Sequence, residues 1–117
     1  MRYELINPSD PYTFEADDLE LAALTAVLLG NGAYPARALT DEADDVPPFL
    51  FGGQDEWFKE RFGATAEESL RRCIASRKDG LVRALQSVTL GCTRRSSMND
   101  IGGRARELAD MLARKET

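Results

Sequence analysis

Apolar and polar residues alternate at the start of the chain. In "RYELI" the period of two predicts a short strand over residues 2–6. "NPSDP" then reads as a turn, because its prolines and short polar side chains favour bent backbone. "YTFEA" predicts a second strand over 12–16, so the first elements form a hairpin with a five-residue loop. A lone hairpin is marginal in water, so this one needs a body to pack on. Asp17 and Asp18 suit a helix start, where carboxylates meet free N–H groups and the positive end of the dipole. The predicted helix, 18–29, runs through "LELAALTAVLLG", in which only Glu20 and Thr25 are polar. A helix apolar on every side belongs in the middle of a core or under a partner. Gly30-Asn31-Gly32 supplies its stop.

Residues 33–45 read as a loop ending in Asp41, Glu42, Asp44 and Asp45. Residues 46–51 read either as an edge strand or as an extended segment that inserts Phe49 and Phe51 into the core; the prolines keep them from a central strand. "QDEWFKERFG" predicts a short helix with Phe58 and Phe62 on one face. Trp57 and Arg61 have the same spacing, which suits a cation–π stack. Trp57 itself reads as a core residue or as an anchor at an interface.

Thr65 and Glu68 form a capping box. From there one helix is expected over 66–89. Leu70 and Leu81 lie eleven residues apart, about three full turns, so the apolar face keeps its phase across Gly80. Arg71, Arg72, Lys78 and Arg83 fall on the opposite face. The last helix, 98–114, has Ile101, Ala105, Leu108 and Leu112 on one side and Ser97 with Asp100 at its start. The fold expected is mainly α (α+β): one domain, 1–117, a compact helical body with a small N-terminal β-hairpin. The two long helices should lie antiparallel, with the apolar helix packed between or against them. A body this small has little to cover that helix with, which leaves a homodimer open beside a monomer.

Composition narrows the chemistry. The chain has no histidine and two cysteines, 19 positions apart, so no zinc spacing arises and no metal or cofactor is expected. Cys73 reads as a small apolar core residue and Cys92 as a thiol in a polar loop. Without histidine the commonest general base is missing, and no Ser-His or Cys-His pair exists. An enzyme is therefore not expected. No apolar leader follows Met1, and the longest apolar run is too short for a bilayer, so a cytoplasmic location is expected and no membrane contact.

Charge is divided along the chain. Residues 1–68 hold 4 basic and 15 acidic side chains, net −11, while residues 69–117 hold 11 basic and 5 acidic, net +6. Either the halves pack together and part of this cancels, or an acidic face meets a basic partner. The candidate partner contacts are Asp17, Asp18, Asp41, Glu42, Asp44, Asp45, Asp55 and Glu56. The acidic cluster lacks the spacing of a calcium loop.

"RRSSMNDIGGRARELADML", residues 94–112, raises a second candidate. Gly102 and Gly103 lie inside the first turns of a helix, where each costs about 1 kcal/mol relative to alanine. Either another backbone passes close, or a ligand or partner does. Arg94, Arg95, Ser96, Ser97, Asn99, Gly102, Gly103 and Arg104 could hold an anion at the helix start. The spacing is neither a P-loop nor a dinucleotide fingerprint.

Three blocks taken together, "RYELINPSDPYTFEADD", "VPPFLFGG" with "EWFKERFG", and "SSMNDIGGRARELA", resemble a family of small accessory proteins encoded by phages and prophages. The resemblance implies an anti-CRISPR-like inhibitor of host defence. The expected mode is protein binding with an acidic surface that imitates nucleic acid, the partner being a host defence protein or nucleoprotein complex. The alternative is a protein that sequesters a small phosphorylated nucleotide signal with the start of the last helix. Direct nucleic-acid binding is not expected, since the acidic half repels phosphates.

Overall fold

β1 (Arg2–Leu5) and β2 (Tyr12–Glu15) pair antiparallel, Tyr3 opposite Phe14 and Leu5 opposite Tyr12. The computed structural model describes residues 1–6, 12–30, 35–39, 44–47, 54–90 and 101–114. Alternation sends Tyr3, Leu5, Tyr12 and Phe14 into the core. The Tyr3 and Phe14 rings stack across the strands at 5.5 Å.

The hairpin is the centre of a larger sheet. β3 (Ala36–Ala38) pairs with the free side of β1, and β4 (Thr89–Leu90) with that of β2, giving the order β3-β1-β2-β4. Two expectations are corrected here. Residues 36–38 are strand rather than loop, and 89 belongs to a strand rather than to a helix end. Neither three nor two residues carry a readable period; the unpaired edges of the hairpin organise them. Val46 then bridges to Ala36 through two backbone bonds of 2.7 and 2.9 Å. Phe49 and Phe51 lie outside the described residues, as does the turn over 7–11.

Helix α1 (Leu19–Gly30) is capped by Asp18, whose Oδ1 accepts the Leu21 N–H at 3.0 Å. Residues 21–26 are all buried, so this helix is the middle of the core. Thr25 is tolerated there because its hydroxyl donates to the Leu21 carbonyl at 2.7 Å. α2 (Gln54–Phe62) ends at Gly63, whose φ of 75° is the left-handed conformation glycine adopts without strain.

α3 (Ala66–Ser76) opens with the full capping box: the Glu68 N–H donates to Thr65 Oγ1 at 3.2 Å, and the Thr65 N–H donates to Glu68 Oε1 at 3.1 Å. Thr65→Ala is expected to lower stability by about 1 kcal/mol and Thr65→Ser much less. Urea denaturation of the three proteins checks it; an alanine variant as stable as the parent would mean the cap contributes nothing.

The single helix expected over 66–89 is two. α4 (Lys78–Gln86) follows α3 after a break at Arg77, whose backbone has left the helical region at φ −136° and ψ 29°. The break costs little hydrogen bonding, since the Arg77 N–H still reaches the Cys73 carbonyl and the Arg77 carbonyl accepts from Gly80 and Leu81. Distant groups set it. The Arg77 guanidinium donates to Asp18 and, at 3.2 Å, to Glu20, both at the start of α1. Gly80 lies so close to α1 that a Cβ there would stand 3.0 Å from Leu21 Cδ1. The eleven-residue phase survives: Cys73 on α3 and Leu81, Ala84 and Leu85 on α4 are all buried, and both helices pack on α1.

α5 (Ile101–Arg114) packs chiefly on α4, burying Ala105 and Ala109 and half-burying Leu108 and Leu112. The expected cap at Ser97 and Asp100 lies outside the described residues. The radius of gyration, 13.4 Å, is that of a compact body of this length. No helix among the described residues is long and apolar enough to cross a membrane.

Candidate functional site

α2 is a polar helix held by aromatic rings. Phe58 is fully buried, and Trp57 and Phe62 are half-buried beside it, the three rings meeting edge to face at 5.3–5.7 Å. The Arg61 guanidinium lies over the Trp57 ring, 5.0 Å from its centre, as the spacing of four predicts. Across from Trp57 runs the β3 edge with its bridging segment. Between them is a cleft of about 470 Å³, lined by Ile6, Pro35, Pro47 and Trp57, with Arg37, Asp45 and Arg61 as its charged members. Ile6 is 45% exposed, unusual for its type, and stands at the mouth.

The charges of the cleft are arranged rather than scattered. Asp45 Oδ1 accepts the Ala38 N–H at 2.7 Å, tying the segment to β3. Arg37 pairs with Glu4, its cross-strand neighbour, at 2.6 Å. Arg61 reaches Asp44 at 3.6 Å between exposed side chains. At the other end of α2, Asp55 Oδ1 accepts the Ala66 N–H at 3.3 Å, joining α2 to the start of α3.

No family model matches the chain, and neither a curated protein nor a solved structure matches it at a significant level.

Four of the eight acidic residues singled out from sequence thus gather around α2: Asp44, Asp45, Asp55 and Glu56, all exposed, the last two in the first turn of the helix. Two others have basic partners within the chain, the Asp17 pair being solvent-exposed. Asp17 pairs with Arg83 at 3.1 Å, and Asp18 caps α1 while pairing with Arg77. Glu20 completes the cluster with Arg72 at 3.5 Å and Arg77 at 3.2 Å. The acidic first half and the basic second half therefore meet here, and part of the charge separation cancels internally. Asp41 and Glu42 lie outside the described residues.

So do Arg94, Arg95, Ser96, Ser97 and Asn99. Of the second candidate set, Gly102 and Gly103 fall within α5, and Arg104 is exposed on it. Sequence reasoning missed Ile6, Pro35 and Arg37 as neighbours of Trp57. The signal for them is the β1–β3 register, in which the Ile6 N–H donates to the Pro35 carbonyl at 2.9 Å.

Cys73 is 1% exposed, and burial, reinforced by Glu20, pushes its thiol up to about 11. Such a thiol is protonated at neutral pH and is no nucleophile. Among the described residues no three His, Cys, Asp or Glu side chains gather as a metal site. A second, polar hollow of about 250 Å³ lies beside Asp17 and Arg83, whose charges already satisfy each other.

Proposed function

We propose that the chain is a binding protein that acts by contact: a phage- or prophage-encoded inhibitor of a bacterial defence system, anti-CRISPR-like, working in the host cytoplasm. Its partner is a host defence protein or nucleoprotein complex with a basic surface. The resemblance of the three sequence blocks supports the defence setting. The observation that carries the mode of action is the grouping of Asp44, Asp45, Asp55 and Glu56 around α2, exposed beside a half-buried tryptophan. Exposed carboxylates can occupy the cationic subsites that phosphates fill on such a partner, and an aromatic ring adds contact area with little loss of side-chain entropy. Asp17 and Asp18 contribute less to this surface, because Arg83 and Arg77 hold them more closely than Arg61 holds Asp44.

Amide substitution tests it without changing side-chain size: D44N, D45N, D55N and E56Q together. The D55N amide keeps a carbonyl oxygen to accept the Ala66 N–H that Asp55 receives in the parent. Capture of the partner from a bacterial lysate, and relief of defence in cells, are expected to fall about tenfold or more. Capture by the parent is expected to weaken steeply with salt. If the amide variant captures the same partner undiminished, the acidic-surface mechanism is wrong.

A further inference from the structure

We infer that the cleft between β3 and α2 receives an aromatic side chain flanked by lysine or arginine, presented by a partner surface built for single-stranded nucleic acid. The inference rests on the acidic-surface reading and names the chemistry of its partner. Three observations carry it. The first is size and lining: about 470 Å³ bounded by Ile6, Pro35, Pro47 and Trp57. That volume is at the small end of pockets that bury a ligand, roughly 300–1,000 Å³. One ring and the stem of a neighbouring long side chain fit such a space. Proline rings and an indole favour a flat apolar guest over a branched polar one.

The second observation is the sign of the charge at the mouth. Arg37 and Arg61 look like anion receptors, but each already has a carboxylate, Glu4 at 2.6 Å and Asp44 at 3.6 Å. Arg61 is further occupied by the Trp57 face. The carboxylates are the looser partners. Asp45 gives one oxygen to Ala38, Oδ2 having no partner among the described residues, and Asp44 is held by that long, solvent-exposed pair. A guanidinium or ammonium arriving beside the ring can engage both with little to displace.

The third observation is how these two features combine. Surfaces that bind single-stranded nucleic acid without sequence preference interleave stacking aromatics with Lys and Arg. An apolar slot with Asp45 in its lining, its two arginines already paired, and Asp44 next to it through Arg61, is the complement of that pattern, the slot standing where a base would stack and the carboxylates where phosphates would lie. A partner edge strand is disfavoured as occupant, because Val46 already occupies the outer side of β3.

Trp57 is the only tryptophan in the chain, so its emission reports occupancy of the cleft directly. The full chain is titrated with capped peptides of sequence Gly-Ser-Arg-Phe-Arg-Ser-Gly, with Glu-Phe-Glu or Arg-Gly-Arg as the central three residues in controls. The Arg-Phe-Arg peptide is expected to give a saturable change in emission and both controls to bind about tenfold more weakly. D44N/D45N is expected to weaken the Arg-Phe-Arg peptide by about the same factor, and Ile6→Gln, at the exposed mouth, to weaken it without unfolding the protein. Equal or tighter binding of the Glu-Phe-Glu peptide overturns the inference, as does the lack of any saturable response. In the latter case, loss of lysate capture by the four-amide variant would leave the acidic-surface reading standing while the cleft falls. A peptide that binds as expected, with lysate capture undiminished in that variant, would keep the cleft's preference and remove the proposed mode of inhibition.

Discussion

Phe58→Ala is expected to lower stability by about 3–5 kcal/mol. Phe58 is fully shielded from solvent, and it is the one fully buried residue of α2, whose Trp57 and Phe62 are half-buried beside it. Its ring lies 5.3 Å from that of Trp57 and 5.4 Å from that of Phe62. Truncation therefore removes the transfer energy of a phenyl ring and leaves a cavity under two others that can only partly collapse. A domain of this size has about 5–15 kcal/mol in hand, so the variant stands close to unfolding. Phe58→Leu keeps most of the volume and is expected to cost less than half as much. Urea denaturation followed by both circular dichroism and Trp57 emission measures the effect. The two signals should coincide in the parent. In Phe58→Ala, Trp57 emission is expected to change at lower urea, because α2 loses its anchor first. A loss below about 1 kcal/mol would mean that α2 is not docked through this ring. The same result would weaken the case for the cleft, since Trp57 is one of its walls.

What the sequence shows depends on the reach of the interaction that makes each feature. The hairpin, the capping box and the Trp57–Arg61 stack arise from residues adjacent in sequence or spaced by a helical turn, and each is readable from spacing alone. The buried α1 is readable because its composition leaves it no solvated face. The break at Arg77 is different. Its cause is a guanidinium reaching Asp18 and Glu20, 59 and 57 residues away, while the local pattern of 70–85 remains that of one helix. β3 is different in the same way: "ARA" has no strand signature, and the open edge of β1 recruits it. The candidate site divides along this line. Trp57, Arg61, Asp44 and Asp45 stand out in sequence, whereas Ile6, Pro35 and Arg37 join them only through the β1–β3 register. Charge divides so too, because net charge by halves says nothing of pairs such as Asp17–Arg83, which lie 66 residues apart. Those pairs partly neutralise Asp17 and Asp18 and turn attention to α2.

Stability is expected to decline on the alkaline side, by about 2–3 kcal/mol from Cys73 alone. Burial first, and the nearby Glu20 second, raise this thiol from 9.0 to about 11, with Arg77 only partly opposing them. The sign follows from which state holds the proton. Below 9.0 both the folded and the unfolded chain keep the thiol protonated, so its contribution is fully present. Between 9.0 and about 11 the unfolded chain loses the proton while the folded chain keeps it, and each pH unit shifts the balance toward unfolding. Above that window both states are ionised and the loss levels off. Tyr3 acts in the same direction at higher pH. Burial, with Asp18, Asp44 and Asp45 adding to it, raises its phenol above 10.0, so its share is lost beyond that point. Urea midpoints along a pH series measure the slope. Cys73→Ala separates the two groups: it is expected to flatten the curve between 9.0 and 10.0 and to leave the Tyr3 decline above it. A parent curve flat across the window, or an alanine variant with the parent's slope, would show that the thiol ionises as readily in the folded chain as in the unfolded one. Cys73 would then not be sealed beneath α1, and the packing of α3 against the core would have to be redrawn.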